Sequence, residues 1–205
     1  MNKVFCIGIH RTATTSLTIA LNVLGIKASH WTHHEEIFKG IKKNNFKFKI
    51  LEKYDALTDF PIPYIYKELD KEYPKSKFIL TVRNTESWWQ SLNRHISAPA
   101  RKEMESLYPE ESFFYGINKI TDKDKEFVIK KYLNHNREAE RYFWDRPNDF
   151  LTMNICGKVE KNWEKLCKFL DKDIPDSGFP GPAKGQPHNK INLRNYLDDD
   201  QRESM

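Results

Sequence analysis

The first 25 residues constrain the fold of this chain more than any other part of the sequence. Residues 3–9 form a short, almost continuous apolar run, as is typical of a strand buried on both faces of a parallel sheet. A loop rich in small and hydroxyl-bearing residues follows. Residues 14–24 then place apolar side chains at helical spacing, and Gly25 is a residue that commonly ends a helix. The pattern predicts a strand, a tight loop and a helix.

The same alternation continues along the chain. Further strands are predicted at residues 26–28, 55–59, 77–82 and 150–155, and helices at residues 33–42, 64–73, 86–95, 122–144 and 159–170. We expect the long helix at 122–144 to bury an apolar stripe through Phe127, Ile129, Leu133 and Tyr142. Strands alternating with helices predict an α/β fold with a central parallel sheet flanked by helices on both faces.

Length and charge indicate the number of domains and the kinds of partner to expect. A chain of 205 residues suits one domain, which we place at residues 1–180, followed by an irregular tail at 181–205. The net charge of +5 suits an anionic ligand but is small for a nucleic-acid-binding protein. No apolar stretch is long enough to cross a bilayer, and three widely spaced cysteines predict reduced thiols. We therefore expect a cytoplasmic protein without nucleic-acid or membrane partners. The oligomeric state cannot be read from the sequence.

The loop at residues 8–16 is suited to phosphate. It reads Gly-Ile-His-Arg-Thr-Ala-Thr-Thr-Ser and opens a helix, whose N-terminal N–H groups and dipole favour an anion. Aligned on Gly8 with the P-loop of ATP-binding enzymes, it has Thr14 where that loop carries its lysine. The cation is instead Arg11. The loop is thus suited to phosphate but poorly suited to Mg-ATP.

This loop resembles the 5′-phosphosulfate motif of cytosolic and bacterial sulfotransferases, which use 3′-phosphoadenosine 5′-phosphosulfate (PAPS). The resemblance implies a P-loop-NTPase-like three-layer fold, PAPS as cosubstrate and PAP as product, without a metal. The residues it assigns to the donor are Arg11, Thr12, Ala13, Thr14, Thr15 and Ser16. Two positions depart from the family pattern, since His10 replaces a proline and Ala13 replaces a glycine.

A second motif of the same family binds the 3′-phosphate. The strand at residues 77–82 ends in Arg83, and Ser91 follows eight residues later on the next predicted helix, as in that motif. A guanidinium offers phosphate a fork of donors, and a serine hydroxyl can close the other side. The segments Thr58-Asp59-Phe60-Pro61 and Trp88-Trp89 with Ser91 also resemble this family, as does the stretch at 163–170.

Sulfuryl transfer needs a base for the acceptor proton and a cation for the leaving oxygen. Arg11 is the candidate cation. Asp59 is the first candidate base, because it stands where the family places its catalytic histidine, and His30 is the second. His33, His34 and Glu35 are weaker alternatives.

A metal site is not expected at residues 33–36, because adjacent helical residues point in different directions and chelate poorly. The predicted function is sulfuryl transfer from PAPS to a hydroxyl or amine of an unknown acceptor. A P-loop small-molecule kinase and a non-catalytic nucleotide-binding or interaction domain remain the alternatives.

Overall fold

A five-stranded parallel sheet organises the protein. The computed structural model describes residues 3–30, 34–98, 107–157 and 161–181, with the side chains of His34 and Glu110 outside that description. The strands are β1 (Val4–Cys6), β2 (Ala28–His30), β3 (Ala56–Thr58), β4 (Lys77–Thr81) and β5 (Phe150–Met153). They lie in the order β2-β3-β1-β4-β5, and every adjacent pair is parallel. All five predicted strands are present.

Helices connect the strands. They are α1 (Thr14–Val23), α2 (His34–Lys42), α3 (Ile50–Lys53), α4 (Tyr66–Glu72), α5 (Thr85–Ile96), α6 (Pro109–Tyr115), α7 (Lys125–Tyr142) and α8 (Asn162–Leu170), with single 3₁₀ turns at Ile62–Tyr64 and Asp122–Asp124. The prediction of an α/β fold with a P-loop-like parallel sheet between helical layers is confirmed.

The two faces of the sheet bury separate cores. Alternate residues of β1 divide between them, because successive side chains in a strand point to opposite faces. Phe5 packs with residues of α4 and α7 on one face, and Cys6 packs with residues of α1 and α8 on the other. A third cluster, around Trp88 and Tyr132, lies between α5, α6 and α7. Packing in these three clusters fixes the positions of the carboxyl ends of the strands.

The chain reverses its direction of winding between β1 and β4. After β1 it crosses to β2 on one side of the sheet, and after β4 it crosses to β5 on the other. Loops that diverge in this way leave a crevice at the carboxyl ends of the two strands, where open α/β sheets bind their ligands. Arg11 follows β1 and Arg83 follows β4, so both residues lie at the edge of this crevice.

The buried face of α7 differs from the predicted one. Its buried residues are Val128, Tyr132, His135 and Ala139. By contrast, Phe127 and Leu133 are 42% and 40% exposed. The predicted stripe was wrong for these two residues, whereas its other members, Ile129 and Tyr142, pack partly buried against the core. The buried row instead includes a histidine and a tyrosine whose polar atoms bond to backbone, which a count of apolar residues does not reveal.

The predictions for the cysteines, for membrane-spanning segments and for the C-terminal tail have separate outcomes. The three cysteines are free, with Cys6 and Cys167 buried. No described helix is both long and apolar enough to span a membrane. Of the predicted irregular tail, Gly181 lacks regular structure and residues 182–205 lie outside the described residues.

Candidate functional site

The loop at residues 8–16, which we call the phosphate loop, lies directly against the end of β4. A β-carbon added at Gly8 would lie 1.9 Å from Thr81 Oγ1 and 2.6 Å from the Thr81 carbonyl oxygen. Only glycine permits this approach. The close contact fixes the start of the loop directly beside the strand that leads to Arg83.

Hydrogen bonds hold the middle of the loop. Thr12 is fully buried and donates its hydroxyl to the carbonyl of Ile9 at 2.6 Å, and the same hydroxyl lies 2.6 Å from Thr81 Oγ1. Trp88 donates its indole N–H to the carbonyl of His10 at 3.0 Å. The Thr12 side chain therefore maintains the shape of the loop, and its hydroxyl is not directed at a ligand.

Two residues of the loop have left-handed backbone conformations. Arg11 has φ 69° and Ala13 has φ 70°. Ala13 immediately precedes α1, and no side chain caps that helix. The first-turn N–H groups of α1 are therefore available to an anion at this point. Ala13 adopts the conformation for which the sulfotransferase motif carries glycine.

Two arginine side chains make hydrogen bonds beside the loop. Arg11 donates from Nε to Ser91 Oγ at 3.2 Å, and Arg83 donates from Nη1 to the carbonyl of Arg11 at 3.3 Å and from Nε to Ser87 Oγ at 3.1 Å. Burial lowers the pKa of Arg11, the nearby Arg83 and Arg94 lower it further, and Asp59 opposes them.

Neither of these arginines is in direct contact with a carboxylate. Within the described part of the chain, neither Arg11 nor Arg83 forms an ion pair, although Asp59 acts on Arg11 from a greater distance. Partly buried cations that lack a carboxylate in direct contact favour an anionic ligand. The predicted 3′-phosphate residues Arg83 and Ser91 are both hydrogen-bonded to Arg11.

The two candidate bases are in contact. His30 Nε2 lies 3.5 Å from Asp59 Oδ2, and the two side chains are 18% and 15% exposed. Thr14 donates to Asp59 Oδ2 at 3.2 Å, and the Thr15 hydroxyl lies 3.1 Å from His30 Nε2. Asp59 Oδ1 accepts the Phe60 backbone N–H at 2.8 Å. The first turn of α1 thus joins the phosphate loop to a carboxylate–imidazole pair.

The environment of His30 favours the neutral form of its imidazole. Burial lowers the pKa of His30 below its ordinary value of 6.5, and the Asp59 carboxylate opposes that change without reversing it. A neutral imidazole has one nitrogen that can accept a proton. His30 can therefore act as a base at neutral pH.

Ser16, which the motif assigns to the donor, contacts a distant part of the chain. Its hydroxyl donates to the carbonyl of Gly181 at 2.8 Å. The preceding segment is fixed on α8, where Trp163 donates to the carbonyl of Ser177 at 2.7 Å and packs against Phe179. The stretch 171–181 therefore returns to the base of the phosphate loop, and we refer to it as the C-terminal strap.

The weaker candidates lie apart from this centre. Glu35 is exposed and pairs with Lys39 at 3.6 Å, whereas His33 and the side chain of His34 are outside the described residues. Across the described ranges, no group of three histidine, cysteine or acidic residues could hold a metal ion. His135 lies in the core, with Nε2 2.7 Å from the carbonyl oxygen of Ile7.

Sequence reasoning missed three residues of the site. Thr58 Oγ1 lies 3.0 Å from His30 Nδ1, and Thr18 Oγ1 lies 2.7 Å from Thr58 Oγ1. Arg94 acts electrostatically on Arg11 from α5. For Arg94 a signal existed, because it follows Ser91 by three residues on one helix and so shares its face. For the threonines no such signal existed, because the sequences of β2 and β3 do not reveal that these two strands pair.

Fold and site together define an α/β domain with an arginine and an uncapped helix N-terminus at the end of its first strand, a second arginine beside them and a carboxylate–imidazole pair in contact with the loop. The model of the sulfotransferase domain matches residues 3–186 of the sequence. The chain belongs to this sulfotransferase family.

A curated relative supports the assignment over most of both chains. The chain is 30% identical over 213 aligned residues to "Ava biosynthesis cluster protein M" of Aspergillus versicolor. The alignment covers 87% of this chain and 79% of that protein. The family is one of transferases, which supports a sulfuryl-transfer function for the domain.

Proposed function

We propose that the protein transfers the sulfuryl group of PAPS to a hydroxyl or amine of an acceptor and releases PAP. The observation that carries this proposal is the pair Arg11 and Arg83, two arginines without a carboxylate in ion-pair contact among the described residues, at a phosphate loop that also contacts a carboxylate–imidazole pair. PAPS carries its two anionic ends on one nucleoside, and two separate cationic positions suit it.

In this proposal the 5′-phosphosulfate lies at the N-terminus of α1. The backbone N–H groups that follow Thr12 and Ala13 would bind its oxygens, and the hydroxyls of Thr14 and Thr15 face the sulfuryl group. Thr12 would contribute through its backbone, since its hydroxyl is bonded to Ile9. Ser16 would support the loop through the C-terminal strap.

Arg83 and Ser91 would bind the 3′-phosphate. Ser91 Oγ accepts a hydrogen bond from Arg11, which leaves its hydroxyl proton available to a phosphate oxygen. Arg83 bonds to neutral oxygens of Arg11 and Ser87, which a phosphate can outcompete because charge-assisted hydrogen bonds are stronger. Arg94 adds a third cation at the same face of α5.

The reaction would be an in-line displacement at sulfur. The acceptor oxygen or nitrogen forms its bond to sulfur as the bond from sulfur to the bridging phosphate oxygen breaks, and that electron pair stays on PAP. Arg11 stabilises the charge on the leaving oxygen, and the Asp59–His30 pair takes the acceptor proton.

Aromatic side chains beside Asp59 indicate an acceptor with an apolar body. Phe60 packs against Phe114 with ring centroids 5.3 Å apart, and Tyr64 packs against Phe113 at 4.6 Å. Tyr64 and Phe113 are 38% and 49% exposed. The relative from A. versicolor is named for a biosynthesis cluster, and a hydroxylated biosynthetic intermediate is the kind of acceptor we propose to screen first.

The kinase alternative is less well supported. The position of the P-loop lysine is occupied by Thr14, whose hydroxyl donates to Asp59. No group of metal-ligating side chains is present in the described ranges, although Mg²⁺ bound to ATP needs few protein ligands. We therefore retain the kinase as an outcome of the experiment.

Calorimetric titration with PAP and with Mg-ATP tests the donor. We expect PAP to bind, Arg83→Ala to weaken binding at least about 10-fold through loss of a charge-assisted contact, and adenosine 5′-phosphosulfate to bind more weakly than PAPS. Arg141→Ala, an equally drastic change at an exposed position of α7, is the matched control and should leave affinity unchanged. Binding of Mg-ATP without binding of PAP would exclude the proposal.

A further inference from the structure

The surroundings of His30 are set by the pairing of two short strands. His30 of β2 and Thr58 of β3 are register partners, so their side chains point to the same face of the sheet. The helix α1 covers that face and supplies Thr18, one turn after Thr14. Nδ1 of the imidazole therefore faces a pair of threonine hydroxyls on the side away from the phosphate loop.

The distances around Nδ1 describe a connected hydrogen-bond network. Thr58 Oγ1 lies 3.0 Å from Nδ1 of His30 and 2.7 Å from Thr18 Oγ1. Thr18 also donates to the carbonyl of Thr14 at 3.0 Å, and Thr58 to the carbonyl of Ser29 at 3.3 Å. Thr18 Oγ1 also lies 3.4 Å from Nδ1 of His30. Two hydroxyl protons must therefore serve five contacts.

Counting protons decides the state of Nδ1. The contact of 2.7 Å between the hydroxyls of Thr18 and Thr58 requires one of their protons. If the other proton goes to a carbonyl, Thr58 Oγ1 offers Nδ1 only a lone pair, and a proton on Nδ1 completes a third hydrogen bond. If Thr58, or Thr18 from 3.4 Å, donates to Nδ1 instead, both carbonyl contacts are lost and two hydrogen bonds remain. The network thus favours a proton on Nδ1.

The opposite side of the ring does not reverse this preference. A proton on Nε2 would point towards Asp59 Oδ2, but that distance is 3.5 Å, at the limit of a hydrogen bond. The carboxylate is already bonded to the Phe60 N–H and the Thr14 hydroxyl. The Thr15 hydroxyl, 3.1 Å from Nε2, can donate to an unprotonated nitrogen.

From this geometry we infer that Thr18 and Thr58 are positioning residues that hold neutral His30 as its Nδ1–H tautomer, with the Nε2 lone pair facing the reaction centre. The inference rests on the proposed function in giving Nε2 a catalytic task. The acceptor proton passes to Nε2 as the new bond to sulfur forms, and the imidazolium so formed lies 3.5 Å from the Asp59 carboxylate, which stabilises it. Asp59 and His30 then have different tasks within one pair.

Nitrogen-15 NMR of the histidine rings tests the tautomer directly. The resonance of His30 is identified as the one lost in His30→Gln, and we expect Nδ1 to show the shift of a protonated nitrogen and Nε2 that of an unprotonated one at neutral pH. An Nε2–H tautomer in the unmodified protein would overturn the inference.

Substitutions of Thr58 test the role of its hydroxyl. Thr58→Val keeps the shape of the side chain but removes its hydroxyl, and we expect the major tautomer to change to Nε2–H. Thr58→Ser, which restores a hydroxyl, should keep the Nδ1–H form, and Thr58→Ala, which also lacks the hydroxyl, provides a second route should Thr58→Val fold poorly. Unchanged spectra in Thr58→Val, or in Thr58→Ala if Thr58→Val does not fold, would also overturn the inference.

The tautomer of His30 is measured without any nucleotide, so this test is independent of the proposed sulfuryl donor. Titration with PAP in the same samples shows whether the proposed function holds, whereas the tautomer is read without any ligand. If PAP does not bind and the Nδ1–H tautomer is found, the proposed function fails and the positioning by Thr18 and Thr58 stands.

Discussion

At the residue scale, Ala13 has an energetic cost that can be measured. It has φ 70°, a conformation that disfavours a residue with a β-carbon by roughly 1–2 kcal/mol, although part of this is offset by the greater freedom of glycine in the unfolded chain.

We expect Ala13→Gly to raise the free energy of unfolding by about 0.5–1 kcal/mol in urea melts. Ala20→Gly, the same chemical change inside α1 at a fully buried position, should lower it. Destabilisation of both variants to the same extent would show that Ala13 is not strained.

His30 and His135 make stability depend on pH. Burial lowers the pKa of both imidazoles below 6.5, so the unfolded chain binds more protons than the folded protein once the pH falls below that value. Their contribution is therefore complete above pH 6.5 and is lost as the pH falls towards the folded-state values.

We expect urea melts between pH 7.5 and 5 to show a falling free energy of unfolding, by up to about 1.4 kcal/mol per pH unit for each histidine. The variant His135→Gln should show a shallower dependence. A curve that is flat for the unmodified protein, or identical for the two proteins, would contradict this reading.

At the scale of elements, the contact of the phosphate loop with β4 is the most sensitive to substitution. A methyl group at Gly8 would collide with backbone as well as side-chain atoms of Thr81, and neither can move without separating the loop from the strand. We expect Gly8→Ala to lower the free energy of unfolding by about 3 kcal/mol and to abolish PAP binding. Thermal unfolding measures the first effect and calorimetry the second.

Gly181→Ala is a suitable control, because nothing lies within 4 Å of an added β-carbon there. It should fold with unchanged stability. If Gly8→Ala were equally well tolerated, the loop would not be fixed as described.

Most of the unit formed by β1, the phosphate loop and α1 could be predicted from the sequence, because its signals are local. The apolar run of β1, the small residues of the loop and the spacing in α1 are all contained in 25 residues. The buried face of α7 could not, because His135 and Tyr132 are buried by tertiary hydrogen bonds to the backbone of Ile7 and Arg83. Likewise, Arg11, Asp59 and His30 were identifiable one by one, but their proximity depends on strand order.

At the scale of the whole molecule, one ion-pair network joins distant parts of the chain. Arg146 makes two hydrogen bonds to Asp70, at 2.6 and 2.8 Å, and a third to Asp149 at 3.0 Å. Tyr142 also donates to Asp70, at 2.9 Å. The network links α4 to the end of α7 and the approach to β5. Hydrogen bonds from Arg146 lower the pKa of Asp70 below its ordinary value of 3.8.

Because that pKa is depressed, the contribution of Asp70 is complete above about pH 4 and is lost only as the pH falls through the lower folded-state value. We expect Asp70→Asn to lower the free energy of unfolding at pH 7 by about 1–3 kcal/mol. Glu164→Gln, an exposed position on α8, is the control. Equal stability of Asp70→Asn and the unmodified protein would show that the network is dispensable.

The bond from Ser16 to Gly181 also has a consequence for synthesis of the protein. It joins residues 165 positions apart, so the phosphate loop acquires this partner only after residue 181 has been synthesised. Chains are released from the ribosome N-terminus first, at about 5–20 residues per second. The nascent protein thus carries the complete loop sequence long before the strap can dock. We therefore expect nucleotide binding to reach full strength only after the strap has emerged from the ribosome.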